Sequence, residues 1–210
     1  MVERVKIKTL KFAEAYLEKL KSGKKLMTIR KGQKDFKVGD YVACAGAGFA
    51  NHAEVIAVPT NLAVKVSDYN FLLPSSLTTI GAIAMQGVRR AALSLGEKVC
   101  VLGLGLIGQI TLQLAKQAGC EVFGIDLNQD RLRLAQTLGA DYVFNSSLVD
   151  VVNEIKFITN HRDVDATIIT AASSSGKVIE QAMNLTRRKG RVVLVGDVKI
   201  DFDREPFYSK

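Results

Sequence analysis

Three glycines stand at a spacing that could bind the phosphate groups of a dinucleotide. They are Gly103, Gly105 and Gly108, in the G-x-G-x-x-G run of residues 103–108. Between a strand and a helix, the first glycine allows a tight turn, the second lets the backbone approach a pyrophosphate, and the third lets the helix pack closely on the strand. The free N–H groups at the start of the helix then face the phosphates. We therefore expect Leu106 and Ile107, inside the run, to lie at the same contact.

An acidic residue follows at the distance that a ribose contact requires. Asp126 closes the next apolar run, at about the 20-residue separation from the glycines that is typical of dinucleotide sites. A carboxylate here accepts hydrogen bonds from ribose hydroxyls and repels a 2′-phosphate, so the pattern predicts NAD as the cofactor and disfavours NADP. Leu127 adjoins Asp126, and Arg131 lies about one helical turn further on, where its charge would soften that repulsion.

Small residues follow two later apolar runs. They are Thr170 and Ala171 after one run, and Val195 and Gly196 at the end of the other. Ligands of parallel sheets lie across the carboxyl ends of the strands, so we expect these residues to border the nicotinamide half of the cofactor. Packing alone also places small residues at strand ends, and the assignment therefore rests on position in the fold.

The elements that must position these residues are those of a parallel sheet with crossover helices. From about residue 98 onward, short apolar runs rich in β-branched residues alternate with segments of helical period. Five strands are predicted: Lys98–Leu102, Glu121–Ile125, Tyr142–Phe144, Asp165–Thr170 and Arg191–Val195. The predicted fold class is α/β, a doubly wound parallel sheet of the Rossmann type, with a small, truncated β-rich region at the N-terminus.

Local signals mark the ends of the helices between these strands. Gly119 and Gly139 stand where helices need a left-handed residue to stop, and Asn128 is a plausible N-cap. Ser174 or Ser175 is predicted to cap a later helix, with Gly190 before the last strand.

The segment upstream of the sheet divides into three zones. Residues 74–95 are predicted to form a helix-rich connection, and residues 38–66 to form short strands broken by glycine and proline. Residues 1–37 begin like a strand and continue as a helical stripe that ends at Gly23. We predict a small N-terminal region over residues 1–73 and the cofactor-binding domain over residues 74–210.

Composition argues against several classes of protein. The three cysteines, Cys44, Cys100 and Cys120, are too few and too scattered to indicate a disulfide framework or a metal pair. Neither His52 nor His161 has a second ligand at zinc spacing, so no metal site is expected. Because no run of about 18 apolar residues and no signal peptide is present, we expect a cytoplasmic protein without a membrane span.

The net charge of +8 is concentrated at one end of the chain. The first 40 residues hold 12 of the 29 Lys and Arg residues but only 5 of the 21 Asp and Glu residues. Any affinity for a nucleic acid should therefore map to that segment and not to the sheet.

Much of the chain resembles the medium-chain dehydrogenase/reductase family, the zinc-type alcohol dehydrogenase-like enzymes. The resembling segments are residues 36–42, 51–54, 58–62, 96–99, 103–108, 124–126 and 138–141, in the family's order and at about its spacing. The resemblance implies an NAD(P)-binding domain that supports hydride transfer between nicotinamide and a small alcohol or carbonyl substrate. It also implies a GroES-like catalytic domain, of which only the last strands are recognised. The zinc ligands are not found, so zinc is not expected and the catalytic residues are unknown; His52 is the one candidate.

The first 40 residues resemble the opening of an ASCH domain, a small PUA-like β-barrel associated with RNA. The resembling residues are Lys11-Phe12, Tyr16, Gly23-Lys24-Lys25, Thr28-Ile29-Arg30 and residues 36–40. A basic strand and helix that only cover residues 41–66 would explain the same segment equally well.

Three functions therefore stay open at the level of sequence. The first is an oxidoreductase unit that uses NAD, and the second is an NAD-binding remnant or sensor without turnover. The third is RNA binding through the basic N-terminal segment. The identity of the substrate and the oligomeric state are not determined by the sequence.

Overall fold

The structure is a computed structural model that describes Phe36, residues 39–51, Ala53 and residues 55–209. These residues fall into two compact units, one ending at Thr79 and the other beginning at Ile80. The predicted domain boundary after residue 73 stays a prediction. The basic segment with its ASCH resemblance, apart from a few of its last residues, and the candidate His52 lie outside the described residues, so RNA binding also stays a prediction.

The first unit is built on a small antiparallel pair of strands. β1 (Val42–Cys44) pairs with β2 (Ala63–Lys65), which places Val42 opposite Lys65. A short helical segment, Thr60–Leu62, lies between the two strands, and two more follow β2, Tyr69–Phe71 and α1 (Leu72–Ser75). Phe36, Val42 and Ala63 form the small buried core of this unit. The short strands predicted within residues 38–66 are thus present.

The second unit contains the predicted sheet. Helix α2 (Thr78–Ala91) leads into it. Its strands are β3 (Lys98–Leu102), β4 (Glu121–Asp126), β5 (Tyr142–Asn145), β6 (Val164–Ile169) and β7 (Thr186–Leu194). Its further helices are α3 (Leu106–Gln117), α4 (Gln129–Thr137), α5 (Val151–Ile158), α6 (Lys177–Leu185) and α7 (Arg204–Ser209).

The five strands are parallel and lie in the order β5-β4-β3-β6-β7. The chain therefore winds outward from β3 in one direction, returns, and winds outward in the other. The order reverses between β3 and β6, and the carboxyl ends at such a switch point leave a crevice for ligands. The prediction of a doubly wound Rossmann-type sheet is confirmed.

Helices cover both faces of this sheet. Val101 on β3 packs in the same buried cluster as Leu112 of α3 and Leu132 of α4. Its neighbour Leu102 points to the opposite face and belongs to a second cluster, with Ile155 of α5 among its members. Because successive strand residues face opposite sides, a strand covered on both sides is buried along its length, which explains the continuous apolar runs.

The last strand and its helix differ from the sequence prediction. β7 begins at Thr186, earlier than predicted, and its register with β6 shifts between the pairs Val164–Thr186 and Ala166–Arg191. Gly190 consequently lies inside β7 and not before it. The residues between these pairs bulge out of the regular ladder, a feature set by tertiary contacts.

The sequence analysis misplaced the start of one helix and missed another helix. The N-cap residue of α6 is Gly176, not Ser174 or Ser175, although the Oγ of Ser175 accepts a hydrogen bond of 3.3 Å from the N–H of Lys177, the first residue of the helix. Helix α5 was not predicted at all, although the side chain of Asp150 caps it by accepting hydrogen bonds from the N–H groups of Val152 and Asn153.

Within the described residues, no single helix is long and apolar enough to span a membrane. Two consecutive helical segments, Tyr69–Ser75 and Thr78–Ala91, are together long and apolar enough for a membrane span, but a sharp bend separates them.

Candidate functional site

The glycine turn after β3 has a backbone that other residues would not fit. Gly103 has φ +96°, and its N–H donates a hydrogen bond of 2.8 Å to the carbonyl of Ile125 on the neighbouring strand. A Cβ atom at this position would lie 2.5 Å from the backbone nitrogen of Ala171. Gly103 is thus required both by its left-handed conformation and by the close approach of the chain after β6.

Helix α3 starts beside open space. Gly105 is its N-cap residue, and no side chain accepts a hydrogen bond there. A Cβ atom built on Gly105 would meet no heavy atom within 4 Å, whereas one on Gly108 would lie 2.0 Å from the carbonyl oxygen of Gly103. The N–H groups of the first helical turn have no carbonyl partner within the helix. The start of α3 therefore offers hydrogen-bond donors to an anion, next to room for it.

Asp126 is held at the end of β4 by two backbone donors. Its side chain is 8% exposed. Oδ2 accepts a hydrogen bond of 2.6 Å from the N–H of Leu104, and Oδ1 accepts one of 2.8 Å from the N–H of Asn128. These bonds fix the carboxylate beside the glycine turn, at the position predicted for a ribose contact.

Exposed residues surround this carboxylate. The nearest guanidinium nitrogen of Arg131 lies 3.6 Å from Oδ2 of Asp126, and the Arg131 side chain is 55% exposed. Leu127 and Leu106 are also exposed, at 68% and 56%. Arg131 stands in the first turn of α4, whose cap is the side chain of Asn128, as predicted.

The ends of β6 and β7 complete the same edge of the sheet. The N–H groups of Thr170 and Ala171 donate to the carbonyl of Leu102, and the N–H groups of Val195 and Gly196 donate to the carbonyl of Ile169. These bonds continue the sheet ladder just beyond the strands. The structure thus brings the predicted residues of both cofactor halves to one edge.

The sequence analysis missed one polar residue at this site. Gln109, in α3, is 6% exposed. Its Nε2 donates to the carbonyl of Leu104 at 3.1 Å and to the carbonyl of Arg131 at 2.9 Å. Its Oε1 is buried with no hydrogen-bond partner among the described residues. The sequence did carry a signal: Gln109 is a polar residue directly after the third glycine, three residues before Leu112 in the same helix.

No cluster of three His, Cys, Asp or Glu side chains that could hold a metal ion occurs among the described residues. The expectation about zinc stays a prediction, because it concerns the whole chain. The described edge of the sheet thus offers an anion contact and a carboxylate, both suited to an organic cofactor.

The sequence of this domain matches a known family. Residues 107–209 match the family model of the zinc-binding dehydrogenases. The uncharacterized zinc-type alcohol dehydrogenase-like protein YdjJ of Escherichia coli (strain K12) is 31% identical over 144 residues, or 68% of this chain and 41% of that protein. An alcohol dehydrogenase of Geobacillus stearothermophilus is 34% identical over 142 residues, or 68% of this chain and 39% of that protein.

Solved structures resemble the chain as well. The crystal structure of a protein assigned as a zinc-binding dehydrogenase of Sinorhizobium meliloti 1021, bound to NADP, superposes with a TM-score of 0.65 at 26% identity. The superposition covers 72% of this chain and 46% of that one. The chain spans about two fifths of the length of the curated relatives it matches, 41% and 39%. Together with the parallel five-stranded sheet, these matches support the similarity of residues 107–209 to the zinc-binding dehydrogenases and the predicted place of the chain among the medium-chain dehydrogenases/reductases.

Proposed function

We propose that this chain binds NAD at the carboxyl edge of its parallel sheet and serves as the cofactor-binding part of an oxidoreductase. One observation carries the proposal. The open, uncapped start of α3 at Gly105 lies next to the buried carboxylate of Asp126, and the hydrogen bond from Leu104 ties the two together. Hydrogen-bond donors suited to an anion and a carboxylate acceptor thus lie side by side, and a dinucleotide requires this combination.

The pyrophosphate would lie against the start of α3. The N–H groups of Leu106, Ile107 and Gly108 are the donors that a helix leaves unpaired at its N-terminus. The space beside Gly105 admits the phosphates without a side chain in the way. The positive end of the helix dipole adds attraction for their charge.

The adenosine ribose would lie at Asp126. A carboxylate has about four lone-pair sites, and two of them are used by Leu104 and Asn128, so acceptor capacity is left for ribose hydroxyls. Its negative charge opposes a 2′-phosphate and favours NAD over NADP. Arg131 acts in the opposite direction, because its guanidinium stands 3.6 Å from the same carboxylate.

The nicotinamide would lie across the ends of β6 and β7, beside Thr170, Ala171, Val195 and Gly196. Bound NAD supplies a hydride acceptor there. These residues would orient the ring, because the backbone groups at the strand ends are fixed by the sheet ladder. The relatives suggest a small alcohol or carbonyl compound as substrate, and the acid, base or metal ligand for its reaction is not assigned.

Calorimetric titration of the full chain tests cofactor binding. We expect NAD to bind more tightly than NADP to the wild type, and Asp126→Ala to lose at least about tenfold in NAD affinity, which corresponds to about 1.4 kcal/mol. Asp130→Ala is the matched control, because that carboxylate lies in the first turn of α4 and is 80% exposed. Binding of neither dinucleotide by the wild type would overturn the proposal, and equal affinity for both would remove the role given to Asp126.

A second measurement separates an enzyme from a binding module. The chain is incubated with NAD and a panel of polyols and alcohols, and the absorbance of the reduced cofactor is followed. Reduction that is lost in Asp126→Ala supports the oxidoreductase. Tight binding without reduction of NAD by any compound of the panel favours the alternative of a sensor or remnant.

A further inference from the structure

We propose that Gln109 is the positioning residue of this site, and that it holds the glycine turn and the first turn of α4 in the arrangement that the adenosine end of the cofactor requires. The inference rests on the proposed function and deepens it. Gln109 is only 6% exposed, so in this inference it acts through other residues and not by direct contact with the cofactor.

The argument starts from the direction of the Gln109 amide. Its Nε2 lies within hydrogen-bond distance of two carbonyl oxygens, those of Leu104 and Arg131. Carbonyl oxygens only accept, so the nitrogen must face them, and a reversed amide would put oxygen against oxygen. The side chain therefore donates both of its N–H bonds to the backbone.

These two bonds close a set of contacts around Asp126. Leu104 accepts from Gln109 through its carbonyl and donates to Asp126 through its N–H. Arg131 accepts from Gln109 through its carbonyl, and its guanidinium stands beside the same Asp126 carboxylate. Gln109 thus bonds to the backbone of Leu104, one of the two N–H donors to the carboxylate, and to the backbone of Arg131, whose guanidinium stands beside that carboxylate.

The unpaired half of the amide supports a role for Gln109 beyond stability. Its Oε1 is buried with no hydrogen-bond partner among the described residues. A buried acceptor without a partner lowers stability, and an apolar side chain of similar size would avoid that loss. A side chain that carries such a penalty while both of its donors are used is well explained by positioning.

Gln109→Met tests the inference, since methionine has a similar length and no donor. We expect the variant to bind NAD about tenfold more weakly than the wild type. Gln117→Met, the same substitution at an exposed position of the same helix, should leave NAD affinity unchanged. The ratio of NAD to NADP affinity should also change in Gln109→Met, because the backbone of Arg131 is released.

A double variant distinguishes positioning from general damage. If Gln109 acts through the contact of Leu104 with Asp126, then Gln109→Met adds little to the loss already caused by Asp126→Ala. If the two substitutions acted independently, their fold losses in NAD affinity would multiply. A double variant whose loss equals that product would overturn the inference.

Hydrogen exchange without cofactor gives a readout that does not depend on binding. The Leu104 N–H donates to Asp126, and the Val122 N–H donates in the same way to Oδ2 of Asp141, elsewhere in the sheet. We expect Gln109→Met to speed exchange at Leu104 at least about tenfold more than at Val122. Equal acceleration of both amides would indicate a merely structural role and would overturn the inference.

A second variant keeps the test decisive if Gln109→Met does not fold. In Gln109→Glu an ionised side chain cannot donate to the two carbonyls, whereas a protonated one donates once. NAD affinity relative to wild type should therefore recover as the pH is lowered, and a ratio that does not change with pH contradicts the inference. Wild-type chain that binds no dinucleotide would instead overturn the proposed function itself, so the two failures are distinguishable.

Discussion

The N–H of Leu104 and the carboxylate of Asp126 are joined by a hydrogen bond of 2.6 Å that links the glycine turn after β3 to the end of β4. Asp126 also accepts from Asn128 at the start of α4. One buried side chain therefore fixes three backbone segments relative to one another. Its contribution to stability should be measurable in the absence of any cofactor.

Asp126→Asn should destabilise the chain even without NAD. The carboxylate accepts from two backbone N–H groups, but an asparagine has one side-chain oxygen, and its NH₂ group would face the second donor. We expect a loss of about 1–3 kcal/mol in the free energy of unfolding by urea, because one buried donor loses its acceptor. Asp130→Asn, at an exposed carboxylate, should change stability by less than about 0.5 kcal/mol. Equal stability of the two variants would contradict this account of Asp126.

Gly105→Ala and Gly108→Ala should separate binding from folding. Gly105 has φ −67° and ψ −169°, which alanine adopts readily, and its added Cβ meets no atom within 4 Å. We expect Gly105→Ala to unfold at the wild-type temperature but to lose at least about tenfold in NAD affinity, since the methyl group occupies the space for the phosphates.

Gly108→Ala should show the opposite order of effects. The added Cβ would lie 2.0 Å from the carbonyl oxygen of Gly103, so helix α3 must move away from the turn. Overpacking of this kind costs about 1–3 kcal/mol, which thermal unfolding without cofactor would detect.

Wild-type NAD affinity in Gly105→Ala would show that the space beside that glycine is not the phosphate site.

The parts of this fold that could be predicted are those with local signals. Gly119 and Gly139 end their helices with φ +80° and +104°, as their positions after α3 and α4 indicated. Asn128 caps α4 by accepting from two N–H groups. The strands β3 and β4 were predicted to within one residue, because runs buried on both faces leave an uninterrupted apolar signature.

The parts that could not be predicted depend on distant partners. β7 begins at Thr186 because its early residues meet the start of β6, where Arg187 forms an ion pair with Asp165. Nothing in the local sequence marks that pairing. Gln109 was missed for the same reason, since its two acceptors belong to the glycine turn and to Arg131 in the following helix.

Asp165→Asn should destabilise the chain in a manner that depends on pH. Burial raises the pKa of Asp165, but hydrogen bonds from the Lys98 N–H and the Arg187 side chain, with the nearby charges of Arg187 and Arg191, outweigh it and lower that pKa below its usual value. A lowered folded-state pKa gives stability that is present above the unfolded-state value of about 3.9 and is lost as the pH falls toward the folded-state pKa. The loss in free energy of unfolding that Asp165→Asn causes should therefore be full at pH ~7 and should shrink below pH ~4.

Urea unfolding of wild type and Asp165→Asn at both ends of that range measures the effect. Asp203→Asn, at an exposed carboxylate, should change the free energy of unfolding by less than about 0.5 kcal/mol at either pH. If Asp165→Asn lowered the free energy of unfolding equally at both pH values, the ionised form of Asp165 would not be what stabilises the start of β6.

The thiol of Cys100 should report on cofactor binding from within the sheet. Cys100, on β3, is fully buried, and burial raises its pKa; Cys44, in the first unit, is only partly buried, and burial raises its pKa as well. The thiolate is the reactive form, so iodoacetamide should label Cys44 slowly and Cys100 only when the sheet opens.

NAD at about 100 times its Kd should slow labelling of Cys100 by up to about 100-fold, because the ligand lowers the open population by that factor. Peptide mass spectrometry measures both rates, and Cys44 serves as the internal control. Labelling of Cys100 as fast as Cys44, or unaffected by NAD that calorimetry shows to be bound, would contradict the coupling of the buried sheet to the cofactor site.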